Sequence, residues 1–219
     1  MAHRRQIDFC ERGIAGRFEV TRGAKIAGVI LSGGASRRMG TPKALLRFQD
    51  ETFLDRLIRL FSAMCDPVIV VVGLHADQIR SGIEGARDVR FAVNPDPERG
   101  MLSSLQCGLA LVPGDADAAM FLPVDHPHIA ASTMETLAAR FEAARAPVIV
   151  PTCAGEHGHP VCVARPVIDE LLALAPDARA SDVIHRHVPR TLYVEVSDPA
   201  VVTDVDDPAA YAELLARHL

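Results

Sequence analysis

The sequence predicts an α/β domain whose sheet is covered on both faces by helices, and three observations carry that expectation. Runs of strand length such as "AGVILS" and "PVIVVVG" are apolar throughout rather than alternating, the pattern of strands buried on both faces. Segments with helical spacing separate those runs, the order that builds strand–helix–strand units. At 219 residues, 49% of them hydrophobic, the chain can bury a substantial core, and no internal repeat or low-complexity linker divides it.

Residues 1–24 are polar with scattered apolar positions and read as an N-terminal extension, leaving 25–219 as one domain. "AGVILS" is the first strand. "ETFLDRLIRLFSAM" then places Phe53, Leu54, Leu57, Ile58, Leu60, Phe61 and Met64 at helical spacing. "PVIVVVG" is a second buried strand with the short helix "HADQIRSGI" behind it. Strand "VRFAVN", helix "SLQCGLALV", strand "DAAMFLPV" and helix "STMETLAARFEAA" follow. "APVIVP" and "HPVCVA" are short extended runs, and "VIDELLALA" and "ASDVIHRHV" are helical stretches. "TLYVEV" is the last strand. "DPAAYAELLARHL" is the last helix, capped by Asp207 or its neighbour with Pro208 in its first turn. Ligands of such sheets sit outside the carboxyl ends of the strands, so residues just after each strand are the informative ones.

A formal net charge of −5 argues against a general nucleic-acid binder, which presents a net basic face. With no Trp and two Tyr, the chain is also poorly equipped to stack on bases. No apolar run reaches the roughly 18 residues of a membrane span. No apolar segment follows the N-terminal cations as it would in a secretory signal. Five scattered cysteines (Cys10, Cys65, Cys107, Cys153, Cys162), never spaced as C-x-x-C, read as unbridged thiols of a reducing cytoplasm.

The stretch "VILSGGASRRMGTPKALL", Val29 to Leu46, runs from apolar residues through glycines to cations. It is not a P-loop, because Thr41 and Pro42 separate Gly40 from Lys43 and no hydroxyl follows the lysine. Nor is it the dinucleotide fingerprint, since Gly33 and Gly34 are adjacent and Pro42 interrupts the segment where a helix would have to begin. Gly33 and Gly34 let backbone N–H groups approach an anion. Arg38 adds a planar cationic fork and Lys43 a point charge, both suited to a triphosphate. On glycines and charges alone, a solvated basic turn would look the same.

The full string is more specific. Through Leu31, Gly33, Gly34, Ser36, Arg38, Met39, Gly40, Lys43 and Leu45 it resembles the signature loop of the MobA-like nucleotidyltransferases, the cytidylyl- and guanylyltransferases of the molybdenum cofactor. The resemblance covers about residues 26–210 through separated motifs in the expected order. It implies a single Rossmann-like, three-layer domain with a mixed, mainly parallel sheet of the nucleotide-diphospho-sugar transferase type. It implies transfer of an NMP from an NTP, CTP or GTP, to a phosphorylated small-molecule acceptor such as molybdopterin, with pyrophosphate released and Mg²⁺ as cofactor. The implied nucleotide contacts are Leu31, Ser32, Gly33, Gly34, Ser36, Arg38, Lys43, Asn94, Gly100 and Ser104, with Arg38, Lys43 and Asp125 as the catalytic set. A molybdoenzyme or its chaperone is the implied protein partner.

Asp125, in "PVDHP", directly follows an apolar strand and matches the family's metal-binding aspartate; alone, it would read as a cap or Asx-turn. "TDVDDP", residues 203–208, resembles the family's late D-I-D-x-P segment, whose second aspartate, here Asp206, lies near the metal. Asp204 and Asp207 read as helix caps. "NPDPERGMLSSLQCGL", from Asn94, resembles an N-x-x-x-x-x-G-M-x-x-S segment that turns Gly100, Ser103 and Ser104 to the nucleotide from a helix start. Without the resemblance, Ser103 is an N-cap. "GHP", Gly158 to Pro160, matches a segment on the acceptor side, so His159 reads either as a ligand of the acceptor phosphate or as a structural histidine.

Gly33 is a guanylyl-like trait, whereas "GHP" is strongest in cytidylyl-like members, and the overall layout leans to the latter. Three rival readings stand beside this one. The acceptor is a sugar phosphate or another phosphorylated metabolite, or the chain is a non-catalytic maturation partner of molybdoenzymes. The third is a zinc site built from the pairs His126/His128, His157/His159 and His185/His187.

Overall fold

The computed structural model describes residues 23–217 apart from 35, 37, 86–88 and 176, so residues 1–22 of the N-terminal extension, with Cys10, lie outside the described residues. In chain order the first half contains β1 (Ile26–Ser32), β2 (Arg47–Phe48), β3 (Glu51–Thr52), α1 (Phe53–Ser62), β4 (Val68–Val72), α2 (Ala76–Gly82), β5 (Val89–Val93), α3 (Met101–Leu109) and β6 (Ala118–Pro123). The second half contains α4 (Ala131–Ala144), β7 (Val148–Cys153), β8 (Glu156–His157), β9 (Val161–Ala164), α5 (Arg165–Leu172), α6 (Ala180–Arg186), β10 (Thr191–Glu195) and α7 (Pro208–Arg217). The main sheet runs β10-β7-β9-β6-β1-β4-β5, with β8 paired to β7 at its side. β9 is antiparallel to both neighbours. The pairs β1/β4, β1/β6, β4/β5 and β10/β7 are parallel. The sheet is mixed and mainly parallel, as the resemblance implies.

β1 explains the layers. Its side chains alternate, Ile26 and Ile30 packing on one face with Phe53, Leu57 and Phe61 of α1 and Phe141 of α4. Ala27, Val29 and Leu31 pack on the other face with Leu105 and Leu109 of α3 and Ile168 and Leu171 of α5. A strand buried from both sides needs no polar face, and burying each large side chain contributes roughly 1.5–3 kcal/mol.

Several helix starts differ from the sequence reading by one to three residues, and those of α1 and α3 have a clear physical cause. α1 begins at Phe53 because Glu51 and Thr52 pair with β2, and Thr52 Oγ1 then accepts the Asp55 N–H at 3.0 Å as the cap. Met64 falls beyond its end. α3 begins at Met101 with Gly100 as its cap, so Ser103 lies inside the helix and is not its N-cap. The cap of α7 is as expected: Asp207 Oδ1 accepts from the N–H groups of Ala209 and Ala210 at 3.0 and 2.9 Å.

Cys65, Cys107, Cys153 and Cys162 are free thiols, and burial pushes that of Cys65 up to about 12. Among the described residues, no helix is long and apolar enough to cross a membrane. The register pairs Leu31 with Pro123 and Ser32 with Val72, so β1, β4 and β6 end together at one edge.

Candidate active site

The loop that leaves β1 at this edge does not open a long helix. Pro42 heads a single 3-10 turn, Lys43–Leu45, and the β2–β3 hairpin intervenes before α1. Ser36 adopts φ 47°, and its Oγ accepts the Lys43 N–H at 3.1 Å, which folds the loop back on itself. The neighbouring chain ends approach closely. A Cβ at Gly73, just past β4, would lie 2.6 Å from the Gly33 carbonyl oxygen, so only glycine fits there.

A second segment arrives from the far end of the sequence. Val124 N–H donates to Leu31 O at 3.0 Å, extending the β6–β1 pairing up to Asp125. Val205 N–H donates to Asp125 O at 2.8 Å, and its side chain is buried in the core. In an extended segment the residues flanking a buried one share the opposite side, so Asp204 and Asp206 both turn towards Asp125. Ligand atoms of Asp125, Asp204 and Asp206 all lie within 4.8 Å of one another, the one such group of three or more His, Cys, Asp or Glu side chains among the described residues.

The cations of the first loop meet these carboxylates. Lys43 Nζ, on a side chain only 13% exposed, lies 3.2 Å from Asp125 Oδ2 and 2.5 Å from Asp206 Oδ1. Arg38 Nη2 lies 2.5 Å from Asp206 Oδ2. The hydrogen bond from Lys43 and, after it, that from Arg38 hold the Asp206 carboxyl below the usual carboxylate range against the opposing effect of burial. Three carboxylates at one point are a hard-oxygen donor set that fits a divalent cation such as Mg²⁺, whose remaining positions are taken by water and phosphate oxygens.

Around this cluster lies a cleft of about 350 Å³. Leu31, Ser32, Gly33, Gly34, Ser36, Arg38, Lys43, Gly100, Ser104, Asp125 and Asp206 all line it, each a residue singled out in the sequence. Asn94 does not line it. It is 3% exposed behind α3, and its Nδ2 donates to Ser103 Oγ at 2.9 Å and to Ser104 Oγ at 3.0 Å.

His159 also lies off the cleft, with its ring centroid 5.5 Å from that of His126 and 6.3 Å from that of Phe121. Its N–H donates to Val201 O at 2.8 Å, and a Cβ on the preceding Gly158 would stand 2.2 Å from that same oxygen. The "GHP" turn is therefore packed flush against residue 201. Burial, aided by the charge His126 can carry, lowers the His159 pKa to about 4, so the ring is neutral at pH 7 and brings no cation to a phosphate.

One member of each histidine pair is engaged with a separate group. His126 Nδ1 donates to Ala200 O at 2.9 Å, His157 stacks on Tyr193 at 4.6 Å, and His187 Nε2 meets Glu170 Oε1 at 2.8 Å. The acidic group contains no histidine, so the zinc alternative has no site among the described residues. Asp204 is the residue that sequence reasoning misassigned. It caps no described helix, and the signal that finds it is the D-x-D spacing around a core valine.

The MobA-like NTP transferase domain matches residues 28–191. The molybdenum cofactor cytidylyltransferase of Escherichia coli is 24% identical over 192 residues, 87% of this chain and 95% of its own length. A probable molybdenum cofactor guanylyltransferase of Synechococcus elongatus is 35% identical over 111 residues, 50% of this chain and 55% of its own length. Among solved structures, Rv0371c of Mycobacterium tuberculosis superposes with a TM-score of 0.76 at 31% identity, covering 89% of this chain and 99% of that one. A structure of Rv0371c in complex with manganese gives 0.72 at 28% identity, over 88% and 99% of the two chains. The chain belongs to the MobA-like NTP transferase domain family and is a nucleotidyltransferase.

Proposed function

We propose that this enzyme transfers the nucleotidyl group of CTP or GTP to the terminal phosphate of molybdopterin or its molybdenum-loaded form, releases pyrophosphate and depends on Mg²⁺. The convergence of Lys43, Arg38, Asp125 and Asp206 at the mouth of one cleft carries this reading. The names of the Escherichia coli and Synechococcus relatives support the acceptor and the two bases, and the manganese complex of Rv0371c supports a divalent cation. Unbridged thiols support a cytoplasmic enzyme.

The reaction asks little covalent work of the protein. An oxygen of the acceptor phosphate attacks the α-phosphorus, a new P–O bond forms, and the bond to the bridging oxygen breaks to release pyrophosphate. The attacking oxygen is already anionic, so no general base is required. Lys43 and Arg38 offset charge gathered on the leaving polyphosphate. Asp125 and Asp206 would hold the metal, with Asp204 beside them, and a bound divalent ion would neutralise phosphate charge and align attacker and leaving group. Glycines 33 and 34 let the backbone come close to the nucleotide.

Pyrophosphate release, followed with each NTP across molybdopterin, molybdenum cofactor, sugar phosphates and polyol phosphates, tests the reading. Release with CTP or GTP and a pterin acceptor is expected. Release with a sugar phosphate and none with either pterin would move the enzyme to the rival substrate class.

A further inference from the structure

We propose that Asn94, which never touches the cleft, is a positioning residue for base selection that fixes the Ser104 hydroxyl as a hydrogen-bond donor. The inference rests on the reading of the cleft as an NTP site and adds how one end of it discriminates. The cleft is polarised along the sheet order. Arg38, Lys43 and the carboxylates gather where β1 meets β6. On the other side of β1, where α3 packs over β1 and β4, Gly33, Ile79, Pro97, Gly100, Met101 and Ser104 line it without a charged side chain. A triphosphate belongs at the first end and an uncharged base at the second.

Hydrogen-bond bookkeeping at that second end leaves one arrangement. The Asp96 N–H can only donate, and Asn94 Oδ1 accepts it at 3.0 Å, which assigns the orientation of the amide. Asn94 Nδ2 then spends its two hydrogens on Ser103 Oγ and Ser104 Oγ. Each serine, having accepted, must place its own proton elsewhere. Ser103 gives its proton to Gly100 O at 2.9 Å. Ser104 donates to no group among the described residues, and it lines the cleft. Its proton therefore faces the ligand. Gly33 keeps that path open, since a Cβ there would stand 2.9 Å from Ser104 Oγ.

Because Asn94 is buried, water cannot relax this polarity. A base that offers a ring nitrogen or carbonyl oxygen at this point satisfies the Ser104 proton. A base that offers an amino group leaves a buried donor without a partner, and a site built to hydrogen-bond rejects such a ligand.

Asn94→Asp inverts the arrangement with almost no change of shape. The carboxylate still accepts the Asp96 N–H but draws both serine protons to itself, so Ser104 presents a lone pair to the cleft. Isothermal titration calorimetry of CTP, GTP, ATP, UTP and inorganic tripolyphosphate, each with Mg²⁺, reads the effect. In both Asn94→Asp and Ser104→Ala, the parent's preferred NTP should bind about tenfold more weakly, with its lead over the others narrowed and tripolyphosphate unchanged within about twofold. The double variant should match Ser104→Ala, because Asn94 acts only through that hydroxyl.

Asn94→Ala, which lets Ser104 turn freely, is the second variant if the aspartate does not fold, and it should narrow the same ratios. Unchanged base ratios in the Asn94 variants overturn the proposal. So does an equal loss for tripolyphosphate and every NTP, or additivity in the double variant. Failure of the NTP-site reading itself is distinct: the parent would bind no NTP at all.

Discussion

Lys43 lies between two carboxylates that come from sequence positions 82 and 163 residues away, and its charge serves whichever anion occupies the cleft. Lys43→Ala should weaken NTP binding about tenfold or more, the worth of one largely buried charge-assisted hydrogen bond at roughly 1.5–3 kcal/mol. Titration calorimetry checks this, and parental affinity for every NTP would remove the lysine from the phosphate end. Asp204→Asn should raise the Mg²⁺ concentration for half-maximal activity by a few-fold only, because water can replace one ligand of an octahedral ion. A metal titration that does not move would leave Asp204 as a solvated carboxylate beside the site. The capping role that the sequence suggests for Asp204 is wrong for a physical reason. An acidic residue shortly before a helix normally reads as a cap, but α7 starts at Pro208 and Asp207 already caps it. Arg38, Lys43 and Asp125 were picked out through the family resemblance of their motifs, since charge and position alone left a basic turn and a cap as plain alternatives. Asn94 was legible as a residue of the site but not as one acting from behind it, since sequence does not distinguish lining from support.

The element that makes the site is the stretch 202–207 that joins the 3-10 turn Pro199–Val201 to α7. Nothing in its sequence says that Val205 is a core residue, yet its side chain is 2% exposed and its N–H holds Asp125 O at 2.8 Å. Val205→Pro removes that donor and should let Asp204 and Asp206 drift from Asp125. The expected result is a several-fold rise in the Mg²⁺ requirement although no ligand is altered, checked by metal titration beside a melting curve that confirms folding. An unchanged requirement would mean the segment is held by other contacts. The strands themselves were readable because burial on both faces makes them continuous apolar runs. Their directions were not, and β9 shows why: "HPVCVA" is as apolar as a parallel strand, and periodicity carries no sign of polarity. The start of α3 was hidden by Gly100, whose φ of 95° closes the preceding turn and lets Met101 and Leu102 open the helix.

Across the whole molecule, stability and function meet at the packed turn behind Asp125. His159 titrates near 6.5 in the unfolded chain and about 4 in the folded one. The unfolded state therefore takes up the proton first as pH falls, and stability drops between about 6.5 and 4, by up to ~3 kcal/mol. Above that window the group contributes no slope. Asp206, whose carboxyl is held low, loses its contribution only at more acidic pH, below the ordinary carboxylate value. Melting temperatures from pH 7.5 to 4.5 should therefore fall less steeply for His159→Gln than for the parent, and equal slopes would show that another group governs the acid limb. The union of the two chain halves at Asp125 and Asp206 is tested most directly by single-turnover pyrophosphate release from Asp125→Asn and Asp206→Asn, with NTP binding measured in parallel. Asp125→Asn should keep NTP within a few-fold while release falls on the order of a hundredfold, since several kcal/mol of charge stabilisation go with the metal ligand, and Asp206→Asn should fall less. Release at the parental rate from both variants would contradict a shared metal centre at these two carboxylates.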